Sequence, residues 1–116
     1  MGMGVAYSII EASESSAWRV GVSGYWYVLS ELEGGEILAF HWHPEGRSSA
    51  TTPHLHLGAA ARVDHPALAA AHIPTGRVAP QDFLRMLIED FSVKPRRPDW
   101  DAVLRQSLRA FQVAES

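Results

Sequence analysis

Four histidines stand in two His-x-His pairs within "AFHWHPEGRSSATTPHLHLG", residues 39–58: His41 and His43, then His54 and His56. The chain has six histidines, and the other two, His65 and His72, follow close behind. Three readings suit such a set. Neutral imidazoles converging on one point bind a divalent transition metal such as Zn, and three or four of them with an open position make a catalytic site. Two histidines of different pKa can act as base and acid, as RNA cleavage requires, because imidazole titrates near neutrality. Without a ligand, the same rings are polar residues on a solvent-facing or dimer-forming sheet surface. Glu45 is the nearest carboxylate able to join a metal set, and Arg47 or Arg77 would steady phosphate charge in the acid–base reading. Ser48, Ser49, Thr51 and Thr52 lie near the histidines, but loop polarity accounts for them.

These side chains must be positioned by strands. The first half of the chain reads as β-structure. "GVAYSIIEA" is short and β-branched, "AWRVGVSGYWYVLSE" is rich in Val, Tyr and Trp, and "EILAFHWH" and "PHLHLGAAARV" follow as third and fourth strands. Gly21 and Gly24 mark a bulge or a close approach to a neighbour. "LEGGE" is a hairpin turn, since adjacent glycines tolerate positive φ. Side chains alternate along a strand, so Leu38, Phe40 and Trp42 share one face while Ile37, Ala39, His41 and His43 share the other. Leu55 and Leu57 likewise oppose His54 and His56. With the apolar set turned to the core, all four histidines project from the far face. A register placing His43 opposite His54 sets His41 opposite His56, close enough for the four rings to form a compact quartet. A slip of one residue would turn the set over. The ten-residue loop "PEGRSSATTP" is long for a hairpin, and long loops are often functional.

The second half reads as helices. Pro80 suits a first helical turn and Asp82 complements its dipole. Phe83, Leu84, Leu87, Ile88 and Phe91 form one apolar stripe. "KPRRP" stops that helix and is a solvated connector. Asp99 is placed to cap a second helix carrying Trp100, Val103, Leu104, Leu108 and Phe111. The expectation is one α+β domain over residues 1–116. A four-stranded antiparallel meander spans about 4–63, and two C-terminal helices, about 80–91 and 99–112, pack on one face of it.

Composition narrows the classes. At 116 residues with 47% hydrophobic side chains and 20% charged, the chain can bury a core and is not of disordered type. The absence of cysteine removes disulfides, zinc ribbons and thiol nucleophiles and fits a reducing compartment. No basic, apolar leader opens the sequence and no run approaches a membrane span, so the expected location is the cytoplasm, with no membrane partner. The net charge of −3 divides unevenly: residues 1–60 carry −4, while residues 61–116, with "KPRRP", carry +1. That balance is too acidic for a general nucleic-acid binder.

A second, weaker site signal lies in "AHIPTGRVAPQDF". Thr75 and Arg77 offer a hydroxyl and a guanidinium just ahead of a helix N-terminus, so with Arg47 they are the candidate phosphate- or anion-binding residues. His72, after the apolar run "PALAAA", reads as a buried, hydrogen-bonded histidine. Two familiar motifs are absent. A histidine-triad hydrolase wants His-x-His-x-His, and Gly58 stands at the third place; a cupin's glycine framework is missing.

The order of features resembles the TumE-type toxins of bacterial toxin–antitoxin pairs. The resemblance rests on "FHWHPEG", "TTPHLHLG" and the helix from Pro80, about half of the chain. This chain lacks the denser "PHH…HH" pattern and the basic balance of those toxins, and adds "HIPTGR" and a second helix. "HIPTGRVAPQDFLRMLIEDF" is also similar to a stretch found in uncharacterised small prokaryotic proteins. The resemblance implies a toxin-like protein whose functional positions are His41, His43, His54 and His56, with RNA or an antitoxin as partner. Beside it stand a His-ligated metal protein on the same four residues and a non-enzymatic homodimeric interaction module.

Overall fold

A computed structural model describes residues 2–11, 18–45 and 50–115. The elements are strands β1 (Gly2–Glu11), β2 (Trp18–Ser30), β3 (Glu36–Trp42), β4 (His54–Leu57) and β5 (Ile73–Pro74), then helices α1 (Pro80–Glu89) and α2 (Trp100–Glu115). Two short 3₁₀ turns, Ala59–Ala61 and Pro66–Ala69, lie between β4 and β5. The class is α+β: an antiparallel sheet in the order β1-β2-β3-β4-β5, followed by two helices. The first four strands fall where the sequence places them, but β4 stops at Leu57 and the alanines read as its continuation form the first 3₁₀ turn. The two-residue β5 is an addition, too short to show an alternating pattern. No helix among the described residues is long and apolar enough to cross a membrane.

The chain forms two compact units, one of residues 1–8 and 22–77 and the other of residues 9–21 and 78–116. In the first unit the β2–β3 turn is built as "LEGGE" predicts. Gly34 takes φ +95°, a left-handed conformation that favours glycine, and donates to the Glu31 carbonyl at 2.9 Å. The irregularity in this ladder falls between Leu29 and Ser30, next to the turn, where Ile37 is passed over.

Pairing fixes the faces. Tyr25 opposes Trp42, Tyr27 opposes Phe40 and Leu29 opposes Leu38, while Leu38 and Phe40 oppose Leu57 and Leu55. One face is therefore apolar and aromatic. Tyr25, Tyr27 and Leu29 are buried on it, with the two tyrosine rings stacked at 4.6 Å. On the other face Trp26, His41, His54 and Pro74 form a row across four strands. The Trp26 indole lies against the backbone of Gly4, where a Cβ would overlap it.

In the second unit α1 buries Phe83 and Leu87 and packs against α2. Arg85 bridges the two helices, donating to Asp101 at 2.6 Å, and lies over the Trp100 ring. Helix α1 ends earlier than the apolar stripe predicts. Ser92 adopts φ +56° and Val93 donates to the Leu87 carbonyl at 3.0 Å, a left-handed C-terminal turn completed before "KPRRP" begins. Phe91 consequently leaves the stripe and is exposed. Asp99 precedes α2, and its carbonyl accepts from Val103 at 3.1 Å. Its carboxylate is held by Arg97 in a two-pronged pair at 2.9 Å, which lowers the Asp99 pKa.

Candidate metal centre

The histidine face is set by the β3–β4 register, which pairs His41 with His54 and Ala39 with His56. The expected register, His43 with His54 and His41 with His56, is displaced by two residues. A shift of two preserves side-chain parity, so the histidines still share one face. What changes is the neighbourhood: His54 moves inward, and β5 closes on its other side, with His54 opposite Pro74. Gly58 follows β4 at a position where a Cβ would strike the Glu36 carbonyl, and its N–H donates to the Ile37 carbonyl at 2.9 Å.

Five of the six histidines form one cluster. His54 is at its centre, with ring centroids 5.7 Å from His41, 5.5 Å from His43, 4.8 Å from His56 and 5.0 Å from His72. His56 also meets His41 at 4.9 Å and His72 at 4.6 Å, while His41 and His43 lie 5.4 Å apart. His72 joins from the segment leading into β5, and it is exposed rather than buried. Nothing periodic surrounds it in the sequence; its proximity to the strand partner of His54 is what brings it in. His65 stands apart, its Nδ1 accepting from the Ala67 N–H at 3.3 Å at the start of a 3₁₀ turn.

The cluster is not a row of solvent-facing rings. His54 is only 2% exposed, among the most buried side chains described, and Ala39 beside it is fully buried. The His54 Nδ1 lies 2.7 Å from the Thr52 carbonyl oxygen. A carbonyl only accepts, so Nδ1 carries the proton and Nε2 holds the lone pair. That Nε2 is buried and has no hydrogen-bond partner. An unpartnered buried acceptor costs roughly 1–3 kcal/mol, and native interiors contain few of them. His56 is likewise oriented by a hydrogen bond to the Ala71 backbone.

Electrostatics favours neutral rings. Burial, followed by repulsion from His56, His54, His43 and His72, lowers the His41 pKa to about 4. Burial and the neighbouring His54 and His72 also lower His56, against the opposing pull of Glu36. Neutral imidazole is the form that ligates metals.

Two groups of ligating atoms can hold a metal ion, His41/His43/His54 and His54/His56/His72, each with its atoms within 4.8 Å of one another. Glu45 is exposed and belongs to neither group. Among the anion candidates, Arg47 lies outside the described residues. Arg77 goes to the aromatic face instead of the histidines: its guanidinium sits 4.0 Å from the Trp42 ring and donates to the Val22 carbonyl at 2.9 Å. Thr75 donates its N–H to Pro53, and its Oγ1 is buried without a partner. No family model matches this chain, and no curated protein or solved structure matches it significantly.

Proposed function

We propose that this chain is a transition-metal-binding protein that takes Zn2+ through imidazoles drawn from His41, His43, His54, His56 and His72. The observation that carries the reading is the buried His54 Nε2. Its opposite nitrogen is pinned to a backbone carbonyl, the arrangement by which metal-ligating histidines are oriented and made more basic. The unmatched lone pair is then a ligand atom awaiting a cation. Ring spacing supports the same conclusion. Imidazoles bound to one tetrahedral ion at about 2.0–2.1 Å per nitrogen place their ring centres roughly 5 Å apart. The centroids here are spaced between 4.6 and 5.7 Å. Modest ring rotation brings the nitrogens onto the ion. An all-imidazole set accepts Zn2+, Ni2+, Cu2+ or Fe2+ in preference to Mg2+ or Ca2+, which want oxygen ligands.

The test is elemental analysis of untagged protein purified without chelators and dialysed against Zn2+, together with Co2+ substitution. Near-stoichiometric Zn2+ and the intense visible bands of tetrahedral Co2+ are expected. A chain that retains no near-stoichiometric ion after exposure to Zn2+, Cu2+ and Ni2+ overturns the reading.

A second reading has one observation of its own. Trp26 is 48% exposed and directly opposes His41, so the cluster has an aromatic platform at its edge. Nucleobases stack on such rings, worth about 1–3 kcal/mol per base. We therefore keep the toxin-like reading as RNA contact at this face. Single-stranded RNA should shift Trp26 fluorescence and lose affinity on Trp26→Ala; an unchanged spectrum at saturating RNA rejects it.

A further inference from the structure

The two ligand groups share a residue, and that residue has one lone pair to give. His54 commits Nδ1 to Thr52, so Nε2 is the one atom it has left to offer either group. An imidazole lone pair binds a single ion. The groups therefore cannot be filled together by separate ions, and they are alternative positions for one ion. We propose that the cluster holds a single Zn2+ that moves between an outer position, His54/His56/His72, and an inner one, His41/His43/His54, with His72 as its point of entry and exit. This rests on the transition-metal reading above.

A gradient of exposure gives the path its direction. His72 is exposed, His56, His41 and His43 are half-buried, and His54 is buried. His56 lies between the positions, in ring contact with His72 on one side and His41 on the other. The move is a ligand substitution. Bonds from the ion to His72 and then His56 break, bonds to His41 and His43 form, and the bond to His54 persists. The exchange breaks and forms only metal–nitrogen bonds, so no electron is transferred. His72 also stands outside the strands, on the segment between a 3₁₀ turn and β5, where a side chain can turn outward at little cost.

The experiment compares His72→Gln with His43→Gln in the untagged full chain, measuring Zn2+ stoichiometry and affinity by titration and release to a colorimetric chelator by stopped flow. Wild type is expected to bind one ion. His72→Gln should slow uptake and release together by roughly tenfold, whereas His43→Gln should weaken affinity by roughly tenfold or more without slowing release. Two ions per chain, or equal effects of the two substitutions on rate and affinity, overturns the two-position inference and leaves the metal reading standing. Absence of Zn2+ binding by wild type overturns both.

Discussion

On one face of the sheet Tyr25, Tyr27 and Leu29 are buried at 5%, 1% and 8% exposure; on the other, His54 at 2% and Ala39 at 0% are buried as deeply. The first face uses side chains whose burial is its own reward, since removing apolar area from water is favourable in any orientation. The second spends burial on a ring with one satisfied and one unsatisfied nitrogen. A fold selected for stability alone would place Leu or Phe at position 54. The difference separates the two faces: the aromatic one buries side chains that gain by leaving water, and the histidine one keeps a buried nitrogen without a partner, as the proposed metal reading requires.

The comparison breaks most visibly at Tyr27. Tyr27→Ala should cost about 3–5 kcal/mol of folding stability, as large aromatic truncations do. Urea denaturation of the metal-free chain reads that loss; a cost under about 1 kcal/mol would mean the aromatic face is not the structural one.

The mirror-image test is His54→Phe. It forfeits one hydrogen bond of about 1 kcal/mol and removes an orphan nitrogen costing about 1–3 kcal/mol, so metal-free stability should change by no more than about 2 kcal/mol in either direction. Metal-linked stabilisation should vanish. In wild type, Zn2+ at 100 times its Kd should add about 2.7 kcal/mol, a Tm rise of roughly 10 °C for a chain of this size. Calorimetry with and without Zn2+ measures both quantities, and a variant still stabilised by Zn2+ would remove His54 from the ligand set.

Acid should distinguish the faces next. His41 titrates at about 4 in the fold against 6.5 in the unfolded chain, and His56 is lowered as well. Between those values the unfolded chain binds more protons, so metal-free stability is full above pH 6.5 and falls as pH drops towards 4. Protons also compete with metal for the rings, so Zn2+ affinity should decline as pH falls towards the lowered His41 pKa. Urea midpoints from pH 7.5 to 4.5 should show the slope, and His41→Gln should flatten it. An unaltered slope in that variant would place the acid sensitivity elsewhere.

The smallest effect belongs to the rim. Gly4→Ala puts a methyl where the Trp26 indole lies, and a half-exposed ring can swing aside. Stability should change by under about 1 kcal/mol, with a red shift of tryptophan emission as the ring gains water. An unmoved spectrum would show that the indole does not rest on Gly4.

How much of this was readable in the sequence follows from the range of each interaction. Alternation along "EILAFHWH" and "HLHL" is local, so the division into an apolar and a histidine face was readable before any partner was known. Register depends on the loop between His43 and His54, whose length does not fix it, and the expected pairing was off by two. That error left every side chain on its proper face but hid the central position of His54. The orphan Nε2 depends on where the Thr52 carbonyl points, which composition cannot convey. His72 was assigned to a core because "PALAAA" precedes it; those alanines form a 3₁₀ turn and mostly stand exposed. Arg77 was read from its nearness to a helix start, whereas stacking on Trp42 depends on a strand more than thirty residues earlier.

Gly58 has a wider consequence. His54 and His56 share one face of β4, and just past the strand the Glu36 carbonyl occupies the space a side chain at 58 would need. Strand β4 can therefore lend only two imidazoles, and the remainder come from β3 on one side and the segment before β5 on the other. On the metal reading the outer group, His54/His56/His72, is discontinuous in sequence, so a peptide spanning residues 39–58 would carry the inner three histidines but lack the His72 that completes the outer one. Were the proposed ion bound there, its capture and the closure of the chain around it would be one coupled equilibrium, and metal affinity would gauge how completely the chain has closed.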